Sequence, residues 1–506
     1  MQGLFSILII AAVVAWGLVA PIEMDAFFSG ALKQLTRNFG WLYLWVVLGL
    51  VVCCLSLAFG RYGQLRLGRD DEEPEFSRAA WFAMLFSAGM GIGLVFYGVA
   101  EPLSHFLKPP PGIAPQSVDA ANAAMRYSFF HWGLHPWAVY SMVGLAIGFF
   151  QFRRGRPALI SSVTDELAWS WAKALGPVIN VLAVVATAFG VAASLGVGAL
   201  QINAGLARLL GLPIQLNVQL SIIAVTTALF LASALSGIGR GVKWLSSANL
   251  LIAAALALTV FILGPTVAII DTFTNNLGAY LSEFVRMSLR MTPFRDSAWV
   301  SDWTVFYWAW WISWSPFVGV FIARVSRGRS IKEFILGTML APTLAACLWF
   351  SIFGGTALHM QIFEGVPIAA AVQSNVATAL FSVFDALPLG GLMSVAATLL
   401  VIVFFVTSGD SATLVLSMMS SGGKAAPHAA AKLMWGLLVA AIAASLLSVG
   451  GVSALQTATI VFALPFTLVL VLLAIALWRG VKADHDALMQ KERLLRRRLE
   501  ALAKQD

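Results

Sequence analysis

The chain returns repeatedly to stretches of about twenty apolar residues, the length a helix needs to cross a bilayer. Such stretches lie near 4–20, 41–59, 80–100, 124–151, 176–204, 216–236 and 247–270, then near 302–323, 334–357, 388–417, 432–449 and 453–478. In lipid each backbone N–H and C=O must be satisfied inside the protein, which permits helices and excludes open sheets. The pattern therefore predicts an all-α, polytopic membrane protein with twelve transmembrane helices. Composition agrees: 59% of the 506 residues are apolar and 11% charged, against about 25% charged in a soluble domain. Segment 4–20 has no basic stretch before it and no A-x-A-like site after it, so it reads as a first membrane helix, not a cleaved signal.

The distribution of Lys and Arg sets the expected topology. With both termini cytoplasmic, 24 of the 32 basic residues fall in inside loops and the tail, and 358–388 carries none. The net charge of +8 is thereby assigned to topology, and no nucleic-acid partner is expected. Cys53, Cys54 and Cys347 lie in apolar runs with no metal or redox spacing. They are expected to be buried apolar residues.

Two segments depart from ordinary lipid-facing helices. The third carries Gly89, Gly91 and Gly93 at alternate positions, and the eighth carries Pro316 near its middle. Alternating glycine weakens a helix, and proline removes a backbone hydrogen bond. Unwound backbone at membrane depth is tolerated where it is buried in protein or lines a cavity. Helices 3 and 8 open two sets of five, and matched interruptions point to an inverted repeat around a central site. The expected layout is 1–79, two peripheral helices and a cytoplasmic loop; 80–270, the first repeat; 271–301, a connection; 302–478, the second repeat; and 479–506, a short basic tail. Within the connection, Leu277, Tyr280, Leu281, Phe284, Val285 and Leu289 recur at helical spacing, as in an amphipathic helix at the interface. The tail is expected to be a solvated cytoplasmic helix, with anionic lipid as the alternative contact.

Aromatic residues crowd the same region. At about 100° per residue Trp132, Tyr140 and Trp137 share one broad face of helix 4. Helix 8 adds Tyr307, Trp308, Trp310, Trp311 and Trp314 around Pro316. Trp41, Tyr43 and Trp45 begin a span and fit an interfacial belt. A cage of electron-rich ring faces attracts a cation with no N–H to donate, which favours a methylated ammonium. Helix 4 and 307–319 contain no Asp or Glu that a primary amine would require.

The motifs AGMGIGLVFYGVAEPLSHF (88–106), FHWGLHPWAVY (130–140), YWAWWISWSPFVGVFIARVSRGR (307–329) and VTSGDSATLV (406–415) resemble those of the betaine/choline/carnitine transporter family. The similarity extends to 61–89 and covers nearly the whole chain. It implies a LeuT-like inverted-repeat core, a homotrimer and uptake of glycine betaine, choline or carnitine. By the same resemblance Trp132, Trp137 and Tyr140 belong to the aromatic box and Trp311 closes it. Trp310 and Trp314 lie along the substrate path, and the backbone of Gly89, Met90, Gly91 and Gly93 lines the cavity.

No cofactor is implied. As coupling ion the resemblance implies Na⁺, held by Thr407 and Ser408 with the carbonyls of Ser87 and Met90, the oxygen set a hard cation needs. A weaker second site matches at Thr187 and Phe317, but Val191 stands where the family carries another threonine. Proton-coupled carriers and sodium-independent exchangers occur in the same family. Exchange is disfavoured because 177–207 has no basic residue before Arg208. Glu101, His131, His135 and Asp410 are intramembrane charges, functional candidates by default, for which structural roles are expected. An enzyme is not expected: there is no H-E-x-x-H, no paired intramembrane carboxylates and no Gly-x-Ser-x-Gly. A channel would need a filter loop, which is not evident.

Overall fold

The computed structural model describes residues 2–89, 91–167, 169, 172–236, 239–294, 298–424 and 426–504, with 86–89, 165, 239–244 and 246 described by their backbone alone. Among the described residues the fold is all-helical. In chain order the helices are α1 (Gln2–Val19), α2 (Pro21–Phe59), α3 (Arg78–Gly89), α4 (Ile92–Leu107), α5 (Val118–Trp132) and α6 (Leu134–Gly148). They continue with α7 (Gly176–Leu210), α8 (Leu216–Ser236), α9 (Gly239–Leu263), α10 (Thr266–Ser282), α11 (Phe284–Ser288) and α12 (Phe306–Val325). The last are α13 (Ile331–Phe363), α14 (Ile368–Ser374), α15 (Ala379–Asp385), α16 (Gly390–Ser420) and α17 (Ala429–Leu502).

Among the described residues nine spans, one of them joining α5 and α6, are long and apolar enough to cross a membrane, or ten if the pair Ser247–Leu263 and Thr266–Ser282, bent by 110°, counts as one span. That is fewer than the twelve expected, for two reasons. The third expected segment is divided between α3 and α4, each too short alone. The last two lie together in α17, which turns at Gly450 and Gly451 (φ 62°).

Burial separates the centre from the lipid-facing rim. Over the most apolar 18 residues of each span, 94% are buried in α5–α6 and 83% in the spans of α7 and α12, against 17% in α1. α12 packs on α6, α7 and α17, which places its tryptophans in the middle of the bundle. At one end the tail of α17 is tied down by Asp484, which pairs with Arg153 and Arg154 at 2.7 Å each. Beyond it Leu494, Leu495 and Leu499 are exposed.

Several expectations change. Pro316 does not break its helix; it sits inside α12. Its missing N–H frees the carbonyl of Ile312, and the Ser315 hydroxyl donates to that oxygen at 2.7 Å, so the lost bond is replaced from one residue away. Helix 4 is one span, 118–153, as expected, but its helix is interrupted at Gly133 (φ −90°, ψ −136°). Pro136 cannot donate to Trp132, and the N–H of Leu134 turns to the Tyr280 hydroxyl at 3.0 Å.

In the connection, Tyr280 is buried while Leu281 and Val285 are exposed, so the expected apolar face is divided between protein and surroundings. Tyr43 is no belt residue: it is buried and donates to the carbonyl of Ile460 at 2.8 Å. Trp41 and Trp45 are 49% and 58% exposed, as a belt requires. Cys54 and Cys347 are buried and Cys53 half-buried, all unpaired.

Candidate functional site

The site begins where α3 stops. Gly91, extended at φ −136° and ψ −165°, carries the chain into α4. Met90 lies outside the described residues, as does the side chain of Ser87; Gly89 closes α3. The requirement for glycine is steric at Gly93. A Cβ there would stand 2.7 Å from the Trp310 ring and 3.0 Å from the Trp132 ring, so two aromatic side chains rest against bare backbone.

From that floor the rings form a continuous layer. Trp132 ends α5 and meets Trp311 edge-on at 4.8 Å between centroids. Trp310 and Trp311 stack at 5.0 Å, and Trp132 lies 6.2 Å from Trp310. Across the turn at Gly133, Trp137 and Tyr140 pair at 5.5 Å, and Tyr140 reaches Trp311 at 6.2 Å. The expected residues of helices 4 and 8 thus come together on Trp311, although α5 and α6 are separate helices. Trp314, one turn further, faces α7 and Phe317, 5.4 Å away. Three further rings complete the layer: Tyr97, 5.8 Å from Trp310; Tyr307, 5.9 Å from Trp311; and Phe350, 5.6 Å from Trp132. Tyr97 lies inside the 88–106 motif, but nothing in its spacing separates it from core.

Four of the indole N–H groups are engaged by the surrounding protein. Trp310 donates to Ser194 Oγ at 3.1 Å, Trp311 to the carbonyl of His131 at 2.9 Å, and Trp314 to that of Gly190 at 2.8 Å. Trp132 donates to Glu101 Oε2 at 2.8 Å, and the Tyr307 hydroxyl donates to the same oxygen. Trp132, Trp310 and Trp311 therefore offer a ligand their π faces, their own donors being already engaged. That is the surface to which a quaternary ammonium binds.

Glu101 is the centre of a buried polar cluster. Its other oxygen meets His131 Nδ1 at 2.7 Å and His105 Nε2 at 3.2 Å, and His131 Nε2 meets Thr304 Oγ1 at 3.1 Å. These three residues are the His and carboxylate group whose atoms lie close enough, within 4.8 Å, to ligate a metal. A ligand cluster at this depth was not expected. Their mutual hydrogen bonds satisfy the same atoms, so the hydrogen-bonded reading needs no ion. His135 lies apart, bonded to Ser288 Oγ at 2.8 Å. Asp410 does not cap its own turn; it accepts from Ser233 Oγ of α8 at 2.6 Å.

Of the expected sodium ligands, Thr407 donates to the carbonyl of Val403 at 2.9 Å, leaving its oxygen lone pairs free to accept, and Ser408 is half-buried beside it. α16 approaches the start of α4 here: a Cβ on Gly198 would stand 3.0 Å from both Ile92 and Phe405. At the second position Thr187 donates to Ala183 at 2.7 Å, and Val191 is fully buried.

A cavity of about 610 Å³ opens beside the layer, walled by Ser104, Lys108, Asp302, Trp303, Phe306 and Gln456 among others. Phe306 stacks on Trp310 at 5.5 Å, so one ring separates the cavity from the cage.

Residues 3–486 match the profile of the BCCT, betaine/carnitine/choline transporter, family. The chain is 46% identical to the glycine betaine transporter OpuD of Bacillus subtilis (strain 168), over 96% of this chain and 95% of that one. It is 43% identical to the ectoine/hydroxyectoine transporter of Virgibacillus pantothenticus, over 96% and 97%. It is also 40% identical to a probable glycine betaine transporter of Desulfitobacterium hafniense (strain Y51), over 93% and 95%.

Proposed function

The chain belongs to the betaine/carnitine/choline transporter family, and on that premise we propose that it imports a quaternary-ammonium solute of the glycine betaine, choline or carnitine type by Na⁺ symport. The observation that carries the solute class is the ring layer around Trp311, in which the indole N–H groups of Trp311, Trp310 and Trp132 are bonded elsewhere. A trimethylammonium head has no proton to donate and gains from π faces alone, at about 2 kcal/mol for a desolvated contact. A primary ammonium would bury N–H groups without acceptors.

For coupling, Thr407 and Ser408 supply hydroxyl oxygens on the helix that approaches the α3–α4 interruption, with Ser87 and Met90 as carbonyl partners. An ion bridging the two elements stabilises the arrangement in which both are closed, which is the differential effect coupling needs. Thr187 and Phe317 form the weaker second site. Proton coupling is the second reading, and it rests on the buried Glu101, His105 and His131 cluster. The architecture proposed is two five-helix inverted repeats, 80–270 and 302–478, in a homotrimer of the bacterial inner membrane with both termini in the cytoplasm.

The test is uptake of radiolabelled glycine betaine into proteoliposomes, with and without a sodium gradient at fixed pH and potential. Unlabelled dimethylglycine, sarcosine, glycine and ectoine serve as competitors. Competition should weaken with each methyl removed. Equal competition by glycine and glycine betaine would rule out cage recognition, and stronger competition by ectoine would move the solute class. Uptake indifferent to sodium but driven by a proton gradient would replace symport with Na⁺ by symport with H⁺.

A further inference from the structure

Eight of the 32 basic residues fall outside the positively charged loops and tail. Three of the eight, Arg126, Arg286 and Arg290, line one pocket of about 260 Å³ with Tyr127, Glu283 and the loop at Pro111–Ile113. The pocket stands at the end of the bundle where α4 stops and α5 begins. Arg126 is about 12 Å along α5 from its first residue.

Charge there is not balanced by the protein. Arg286 pairs with Glu283 at 3.3 Å and is largely exposed. Arg290 donates to the Tyr127 hydroxyl at 3.2 Å and to the Pro111 carbonyl at 2.9 Å, both neutral groups. Arg126 Nε is buried without a hydrogen-bond partner. Among the described residues neither Arg126 nor Arg290 has a carboxylate partner. Two guanidinium charges are thus held partly away from water at this end of the bundle, one of them with an unused donor at Arg126 Nε. A partly buried charge in this position is costly unless an ion of opposite sign completes it.

We propose that this pocket binds a phosphate-bearing anion, either a phosphodiester lipid headgroup or free phosphate. Guanidinium groups match phosphate oxygens in paired, charge-assisted bonds that a point charge cannot reproduce. The pocket holds one headgroup-sized anion, and the exposed Arg286 side opens toward membrane or solvent. Its occupancy reaches the transport site by a short path. Arg290 holds Tyr127, whose ring lies 5.8 Å from that of His131; His131 bonds Glu101, and its carbonyl anchors Trp311. The proposal does not depend on which solute the cage takes.

The experiment uses the full chain, delipidated in a neutral maltoside detergent, with thermal unfolding followed against three probes. These are dihexanoyl phosphatidylglycerol, inorganic phosphate and uncharged dihexanoylglycerol. Phosphatidylcholine is avoided because its head group is itself a quaternary ammonium. A saturable rise in melting midpoint with either phosphate probe, absent with dihexanoylglycerol, is the expected result. A rise with both probes places recognition in the phosphate group; a rise with the lipid alone assigns the pocket to membrane headgroups. Arg126→Gln with Arg290→Gln should raise the half-saturating probe concentration about tenfold. If that double variant does not fold, the exposed Arg286→Gln must still raise it. No rise with either phosphate probe, an equal rise with the uncharged one, or wild-type half-saturation in the folded variants would overturn the proposal.

Discussion

The indole N–H of Trp311 donates to the main-chain carbonyl of His131 at 2.9 Å, so a side chain of α12 is pinned to the last turn of α5. The bond fixes the edge of the ring and leaves its face to be shared among Trp132, Trp310 and Tyr140. Replacing Trp311 removes the shared wall of the cage.

Trp311→Leu should therefore weaken binding of a trimethylated solute by about thirtyfold or more, the equivalent of about 2 kcal/mol, with insertion and folding retained. Trp45→Leu, on the exposed rim, should leave affinity unchanged. Tryptophan-fluorescence titration of both purified variants measures this, and two wild-type curves would place the solute elsewhere.

Glu101 should act as a positioning residue for the cage. Glu101→Ala leaves the Trp132 N–H, the Tyr307 hydroxyl and His131 without a shared acceptor, a loss of about 1.5–3 kcal/mol for each bond to a charged group. Half-saturation for uptake should rise at least tenfold and the melting midpoint should fall. Glu101→Gln, which keeps one acceptor oxygen, should restore most of the midpoint but only part of the affinity. If the alanine variant binds solute as the wild type does, the link from carboxylate to ring is wrong.

The Ser315 hydroxyl should matter only because Pro316 is present. Ser315→Ala should destabilise α12 by about 1 kcal/mol, since the Ile312 carbonyl is left without its donor. In a Pro316→Ala background the backbone N–H returns, and adding Ser315→Ala should then cost little. Melting midpoints of the four proteins form a double-mutant cycle. Additive effects would show that the two positions do not compensate each other.

Sodium dependence should centre on α16. Thr407→Ala with Ser408→Ala should raise the sodium concentration for half-maximal uptake, with solute binding impaired mainly at low sodium. Thr187→Ala should do less, because Val191 offers no hydroxyl beside it. Sodium titrations of initial uptake rates decide the matter; an unchanged sodium curve in the double variant would remove α16 from the coupling site.

Much of the bundle and the clustering of its aromatic rings is legible because long apolar runs and an unusual density of tryptophan survive as one-dimensional patterns. What escaped depended on single partners distant in sequence. Pro316 looks like a break until Ser315 is seen bonded to Ile312. Helix 4 looks continuous until Tyr280 takes the N–H of Leu134. Tyr43 looked interfacial for the same reason, since the carbonyl that accepts its hydroxyl belongs to Ile460. Glu101 was visible as a buried charge, but its role as acceptor for Trp132 and Tyr307 requires α4, α5 and α12 in place together.

The bare backbone at Gly93 makes the dimensions of the cage a property of one missing methyl group. Because Trp132 and Trp310 both lean on it, from different helices, a Cβ there would press on both at once. Neither ring can yield freely, since the indole of one is held by Glu101 and that of the other by Ser194. The girth of the space between the rings is thus encoded at a position that contributes no side chain, and an alanine there would narrow it without replacing any of the aromatic residues.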